Sequence, residues 1–272
     1  MLKRTAVLFL LCIAISSHDL FLKLDTYFLP TNELVELYLF NGTFNTSENV
    51  IARKRMQNVK IVGPKGTQTP KDDQWTDRNQ ATYLSFTTSG GGTYMAGVSV
   101  KPSTIELSAE DFNGYLEHDG ILDVLAERKR TKQLNQPARE LYAKHVKAIF
   151  QVGDERSTHY QEILGYPIEF VPQENPYNLE VGDALSVQLL ANGEPLADQY
   201  VYAGFSEQHE HSHANSGHQH DEEQLETDGQ GMVSVVLDHA GQWYLRSIQM
   251  VESSTDTLEY ESNWATLTFE IK

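Results

Sequence analysis

From Asp19 onward the chain is cut into short alternating runs separated by turn residues. Leu20, Leu22 and Leu24 alternate with Asp19, Lys23 and Asp25, and the run stops at Pro30. Residues 34–40 close on Asn41-Gly42, residues 58–62 end in Gly63-Pro64-Lys65-Gly66, and residues 82–87 are followed by Gly90-Gly91-Gly92 leading into 93–100. A side-chain period of two with one apolar face makes a half-buried strand, and Gly, Pro and Asn-Gly supply the reversals. Strands this short and this closely punctuated predict an antiparallel sandwich.

The period changes at Ser108. Ser108 reads as an N-cap with Asp111 at the third helical position, Phe112, Tyr115 and Leu116 recur at helical spacing, and Gly120 stops the run. Residues 122–130 read as a second amphipathic helix with its cations toward the C-terminal end, where the helix dipole favours them. With a further helical turn near 137–142, this predicts a helical insert over about 108–142. Alternation then returns, with Val146, Ala148, Phe150 and Val152 on one face and His145 and Lys147 on the other.

Residues 154–165 are polar and aperiodic and read as a linker. Beyond it, residues 168–171, 185–190, 200–205, 231–237, 243–250 and 264–271 read as strands, with Asn192-Gly193 and Asp228-Gly229 as hairpin punctuation. The predicted fold class is therefore mainly β: two β-sandwich modules, immunoglobulin-like or transthyretin-like, with a small helical insert. The expected organisation is an N-terminal sandwich over 18–153, the linker, and a C-terminal sandwich over 166–272.

Residues 1–17 stand apart. Lys3 and Arg4 precede an apolar stretch over 6–15 that is too short to span a bilayer, and Ala14, Ser16 and Ser17 offer small residues for cleavage. This reads as a secretory signal peptide, which places the mature chain in the periplasm or another extracytoplasmic space. Cleavage after Ser16 sets Ala14 at the minus-three position; cleavage after Ser17 leaves His18 as the amino terminus, with bulky Ile15 at minus three. Cys12 lies inside this segment, and the bulky Leu11 before it argues against lipidation there. With no thiol left, any metal must be held by nitrogen and oxygen. The formal net charge of −17 becomes −19 once Lys3 and Arg4 leave. Such a chain repels nucleic acid and anionic membrane surfaces, and no long apolar run follows the signal.

Between two strands of the second sandwich, residues 207–223 carry His209, His211, His213, His218 and His220 among acidic and small polar residues. Imidazole is a good ligand for nickel, zinc and copper, and His-rich tracts read as metal-binding segments. A long loop of this kind suits capture better than catalysis, which requires ligands locked by surrounding hydrogen bonds. His18 is a sixth candidate ligand: at a free amino terminus its imidazole and the α-amine could chelate one ion together. His145 and His159 would join it only if the fold brought them near, and His118 and His239 sit beside turns. No His-Glu-x-x-His, Gly-x-Ser-x-Gly or phosphate loop occurs, so no catalytic residues are assigned and no enzyme is expected.

The chain resembles the DUF4198 or NikM-like family of exported proteins. The residues that carry this are His18-Asp19-Leu20-Phe21-Leu22-Lys23-Leu24, Phe112-Asn113-Gly114-Tyr115-Leu116, Gly193-Glu194-Pro195-Leu196, Thr227-Asp228-Gly229-Gln230-Gly231, Gly241-Gln242-Trp243-Tyr244-Leu245 and Trp264-Ala265-Thr266-Leu267-Thr268-Phe269. The resemblance implies two β-sandwich modules outside the cytoplasm and an association with nickel or cobalt uptake. That family name includes a transmembrane region, which this chain does not show after its signal, so the resemblance implies a metal-binding accessory to a membrane uptake system. The expected function is capture or buffering of a divalent transition metal, nickel, cobalt or zinc, with copper as a further option, by His18, His209, His211, His213, His218 and His220. Two alternatives stay open: a surface structural or glycan-binding module with an incidental His-rich loop, and a copper enzyme built on an N-terminal histidine brace.

Overall fold

A computed structural model describes residues 18–206 and 222–272. The fold is mainly β, two sandwich modules with a small helical insert, and the modules share one sheet. Among the described residues that central sheet has nine strands. From one edge it runs Glu223–Glu226, Tyr200–Ser206, Gly241–Glu252, Tyr260–Ile271, Ala138–Val152, Gly92–Leu107, Met56–Gly63 and Gly66–Gln68, with Phe28–Leu29 also paired to Ala138–Val152. The halves join where Tyr260–Ile271 lies parallel to Ala138–Val152, in register from Tyr260 opposite Glu140 to Thr268 opposite Ala148.

Two four-stranded sheets cover the central one. The first contains Asp19–Lys23, Leu34–Gly42, Ala81–Thr87 and Trp75–Arg78; the second contains Ile168–Pro172, Ala184–Ala191, Glu194–Pro195 and Met232–Val236. Successive side chains on a strand point to opposite faces, so Ala138–Val152 can serve both. Phe150 meets Phe86 of the first sheet with ring centroids 5.8 Å apart. Lys147, on the other face, meets Glu169 of the second sheet at 3.0 Å. The middle strands are thus buried on both sides, which explains the unbroken burial from Gly92 to Val100.

Asp19–Lys23 departs from the half-buried strand expected. Leu20 and Leu22 enter the main core, but Phe21 on the opposite face packs against Phe44 and Tyr244. Lys23 is covered as well, its ammonium donating to the Phe44 carbonyl at 2.7 Å and lying 3.8 Å from the Phe44 ring centre. Period-two reading recognised the strand and missed that its polar face is roofed.

The insert is shorter than the predicted 108–142. Its helices are Ala109–His118, capped by the Ser108 hydroxyl accepting from the Asp111 N–H at 3.2 Å, and Leu122–Arg130. Residues 138–142 are strand, because Arg139 to Tyr142 pair with Ser103 to Glu106 of Gly92–Leu107; the ladder overrides their helical propensity. Phe112, Leu116, Ile121 and Val124 pack the helices against Ile248, Met250, Tyr260 and Trp264 of the central sheet. Residues 154–165 are tied down at their C-terminal end. Glu169 accepts the N–H groups of Leu164 at 2.8 Å, Gly165 at 2.8 Å and Tyr166 at 3.0 Å.

Candidate functional site at the first strand and the root of the His-rich segment

Three stretches far apart in sequence meet around one guanidinium. Arg246 lies on Gly241–Glu252 and is buried. Its Nε donates to Glu222 Oε1 at 2.8 Å while Nη2 holds Glu222 Oε2. Nη1 donates to the Asp119 carbonyl at 3.0 Å, and Nε stands 3.8 Å from Asp19 Oδ2. A rigid five-donor fork suits this multiple engagement, and a lysine would not match it. Tyr244, on the same face two residues back, donates to Glu222 Oε1 at 2.8 Å. The turn carrying Asp119 is fixed in turn by Tyr202, whose hydroxyl donates to the Gly120 carbonyl at 2.8 Å. Gly120 has φ +77°, and a Cβ there would stand 2.2 Å from the Tyr202 hydroxyl, so the position requires glycine twice over.

The carboxylates here are incompletely paired. Among the described residues, Asp19 Oδ1 and Asp119 Oδ2 are buried without a hydrogen-bond partner. Burial pushes the Asp19 carboxyl up to about 6, against the pull of Arg246, and the Asp119 charge adds to the rise. His118 is raised by the hydrogen bond from its Nδ1 to Asp119 Oδ1, 2.9 Å away, which favours the imidazolium.

Beside Asp19 opens a cavity of about 180 Å³. Its floor is set by a bulge: Gly92–Leu107 carries an extra residue against Ala138–Val152 between Val100 and Ser103, at Lys101-Pro102. Before the bulge Val100 lines the cavity, and after it Ile105 and Leu107 do. An even and two odd positions share one face because the added residue slips the alternation by one. The facing strands contribute Glu140, Tyr142, Lys144 and Trp264, and the helix Ala109–His118 contributes Tyr115.

Lys144 donates to the His18 carbonyl and lies 4.3 Å from the Trp264 ring centre. Burial lowers its pKa, and the nearby charges of Asp19, Asp119 and Glu140 oppose that. Glu140 is 1 % exposed. Its Oε1 accepts the Ser262 hydroxyl and, at 3.1 Å, the Tyr115 hydroxyl. Burial raises its pKa, and the two hydroxyl donors oppose the rise.

Of the histidines read as ligands, His18 lines this cavity, with Nδ1 3.5 Å from Glu48 Oε2. His209, His211, His213, His218 and His220 lie outside the described residues, as does the signal stretch 1–17 with Cys12. Glu222, the first described residue after that segment, is the one clamped by Arg246. His145 is not brought to His18: it is buried between Ser99 at 2.9 Å and Asn263 at 3.2 Å, facing Tyr166. His159 is held by Ser157 at 2.9 Å, and His239 pairs with Asp238 at 2.6 Å. Among the described residues, no three His, Cys, Asp or Glu side chains converge closely enough to hold a metal ion, and no helix is long and apolar enough to cross a membrane.

Sequence reasoning passed over Arg246, Asp119, Glu140 and Lys144. Arg246 had a signal, a lone cation in the apolar run Trp243-Tyr244-Leu245-Arg246, because a buried charge requires partners. Pro102 inside an alternating stretch was the signal for the bulge.

A family model described as a domain of unknown function, DUF4198, matches residues 15–250. No curated protein matches the chain. Among solved structures the chain is similar to trypsin-activated alpha-2-macroglobulin from Escherichia coli, at 12% identity and TM-score 0.24, over 94% of this chain and 16% of that one. It is also similar to the D0-D1 domain of intimin, at 10% identity and TM-score 0.20, over 93% of this chain and 97% of that one. A DUF4785 family protein from Legionella pneumophila is similar at 10% identity and TM-score 0.24, over 83% of this chain and 50% of that one. The chain spans 16% of the length of the macroglobulin it matches.

Proposed function

The chain belongs to the DUF4198 family of domains of unknown function, and from its own residues we propose that it is an extracytoplasmic protein that captures or buffers a divalent transition metal, nickel, cobalt or zinc, for an uptake system. The observation that carries this reading is the Arg246 clamp. It holds Glu222, at the root of the His-rich segment, and stands beside Asp19, the neighbour of His18. The described chain thus resumes after the His-rich stretch, at Glu222, beside the strand that begins next to His18. The unpartnered oxygens of Asp19 and Asp119 add hard donors nearby.

In this reading the loop imidazoles take the ion weakly and pass it by ligand exchange to a partner or to a tighter set that includes His18. Neutral imidazole is the binding form, so capture releases protons from any imidazolium present. Calorimetric titration of the mature protein with nickel, zinc and copper tests the proposal, with a variant lacking residues 209–220 and a His18→Ala variant as comparisons. Loss of most binding heat on deleting 209–220 is the expected result. Equal heats from the native and deleted proteins would remove the loop from the account.

A further inference from the structure

We infer that the cavity beside Lys144 is a binding site for a short-chain carboxylate, a compact organic anion with an apolar body. This goes beyond metal capture and does not depend on it. Leu20, Ile51, Val100, Ile105 and Leu107 give the cavity an apolar wall, on which an aliphatic body can be buried. The charged groups on that wall are Lys144, Arg55 and Glu140. Lys144 and Arg55 are the two cations on the wall itself; the carboxylates of Asp19 and Asp119 also act on Lys144 but do not line the cavity.

The carboxyl is also the less available charge. Glu140 Oε1 is engaged by the hydroxyls of Ser262 and Tyr115, and burial moves the group toward its neutral form. The ammonium of Lys144 carries three donors. One reaches the His18 carbonyl, and the ring of Trp264 faces the cation. Removing an ammonium from water without full compensation is costly, and a ligand carboxylate supplies the charge-assisted acceptor that compensates it.

Size narrows the class. About 180 Å³ is below the range of pockets for drug-sized ligands, so the site suits a short chain. A cationic ligand would meet Lys144 and Arg55 at the wall.

The test uses the mature protein stripped of metal with a chelator and titrated with sodium butyrate, followed by calorimetry and tryptophan fluorescence. n-Butanol and n-butylamine serve as neutral and cationic probes of matched length. Butyrate should bind about tenfold or more tightly than butanol, the scale expected for a charge-assisted bond, and butylamine should bind less well than either. Lys144→Met, which keeps the packing, should bring butyrate down to the level of butanol. Should that variant fail to fold, Arg55→Gln must by itself lower butyrate affinity severalfold. Deleting residues 209–220 should leave butyrate binding unchanged, which separates this site from capture of metal by the His-rich loop. Equal binding of butyrate and butanol, a preference for butylamine, or indifference of butyrate to Arg55→Gln and to a folded Lys144→Met would overturn the assignment.

Discussion

Arg246 grips Glu222 through two nitrogens, Nε on one carboxylate oxygen at 2.8 Å and Nη2 on the other, so the chain leaving the His-rich segment is anchored to a buried strand of the central sheet. The same guanidinium holds the turn at Asp119 and faces Asp19. Removing it leaves buried negative charge uncompensated. Arg246→Met should therefore destabilise the protein by about 3–5 kcal/mol, the range for breaking a buried ion pair from one side. Urea unfolding measures this; a loss under about 1 kcal/mol, the worth of an exposed pair, would show that the clamp is not desolvated as described.

Asp19 should make stability pH-dependent in an unusual direction. Burial pushes its folded carboxyl up to about 6 from an ordinary 3.8, so between those values the folded state binds more protons than the unfolded one. Its contribution is most favourable below the lower value and is lost as pH rises through the window. Two units correspond to roughly 3 kcal/mol at about 1.4 kcal/mol per unit. Asp19→Asn, which cannot ionise, should gain on the native protein as pH is raised from 4 to 6 in thermal melts; parallel curves would contradict the burial of this carboxyl.

Glu169 is 2 % exposed and accepts Lys147 together with three backbone N–H groups. Burial lowers the Lys147 pKa, with Glu169 opposing that fall. Glu169→Gln should cost about 3 kcal/mol or more by leaving an unpaired buried ammonium. Because the same carboxylate secures the stretch up to Tyr166, limited proteolysis within 154–165 should accelerate. An unchanged cleavage rate would mean the stretch is held by other contacts.

Gly120→Ala introduces both a strained backbone and a contact with the Tyr202 hydroxyl. The expected loss is about 1–3 kcal/mol for the conformation alone. Pairing it with Tyr202→Phe should recover only the part owed to the contact, which a double-mutant cycle reads directly.

If the His-rich segment takes up metal as proposed, that uptake should weaken as pH falls through the imidazole range near about 6.5, because protons compete for the ligand nitrogen. Nickel titrations at successive pH values check this; an affinity independent of pH from 5 to 8 would point to carboxylate ligation instead.

The strands were legible because alternation reports burial of one face, and the helix start because Ser108 and Asp111 form a local cap. What alternation cannot report is which element covers the second face. Phe21 and Lys23 read as the outer side of a strand, although Phe44 and Tyr244 roof them from remote positions. Residues 138–142 read as helix because the partner that makes them strand lies across the bulge at Pro102. Of the candidate site, His18 was legible at the start of the first strand, whereas Arg246, Asp119, Glu140 and Lys144 acquire meaning only from contacts made across the fold; the His-rich segment, which stands out in composition, lies outside the described residues.

The parallel pairing of Tyr260–Ile271 with Ala138–Val152 also sets an order of assembly. A chain appearing amino end first must leave the Ala138–Val152 ladder with an open edge until the strand ending at Ile271 arrives. Pairings of such high contact order form slowly, so the amino-terminal half should not complete itself early as an autonomous folding unit.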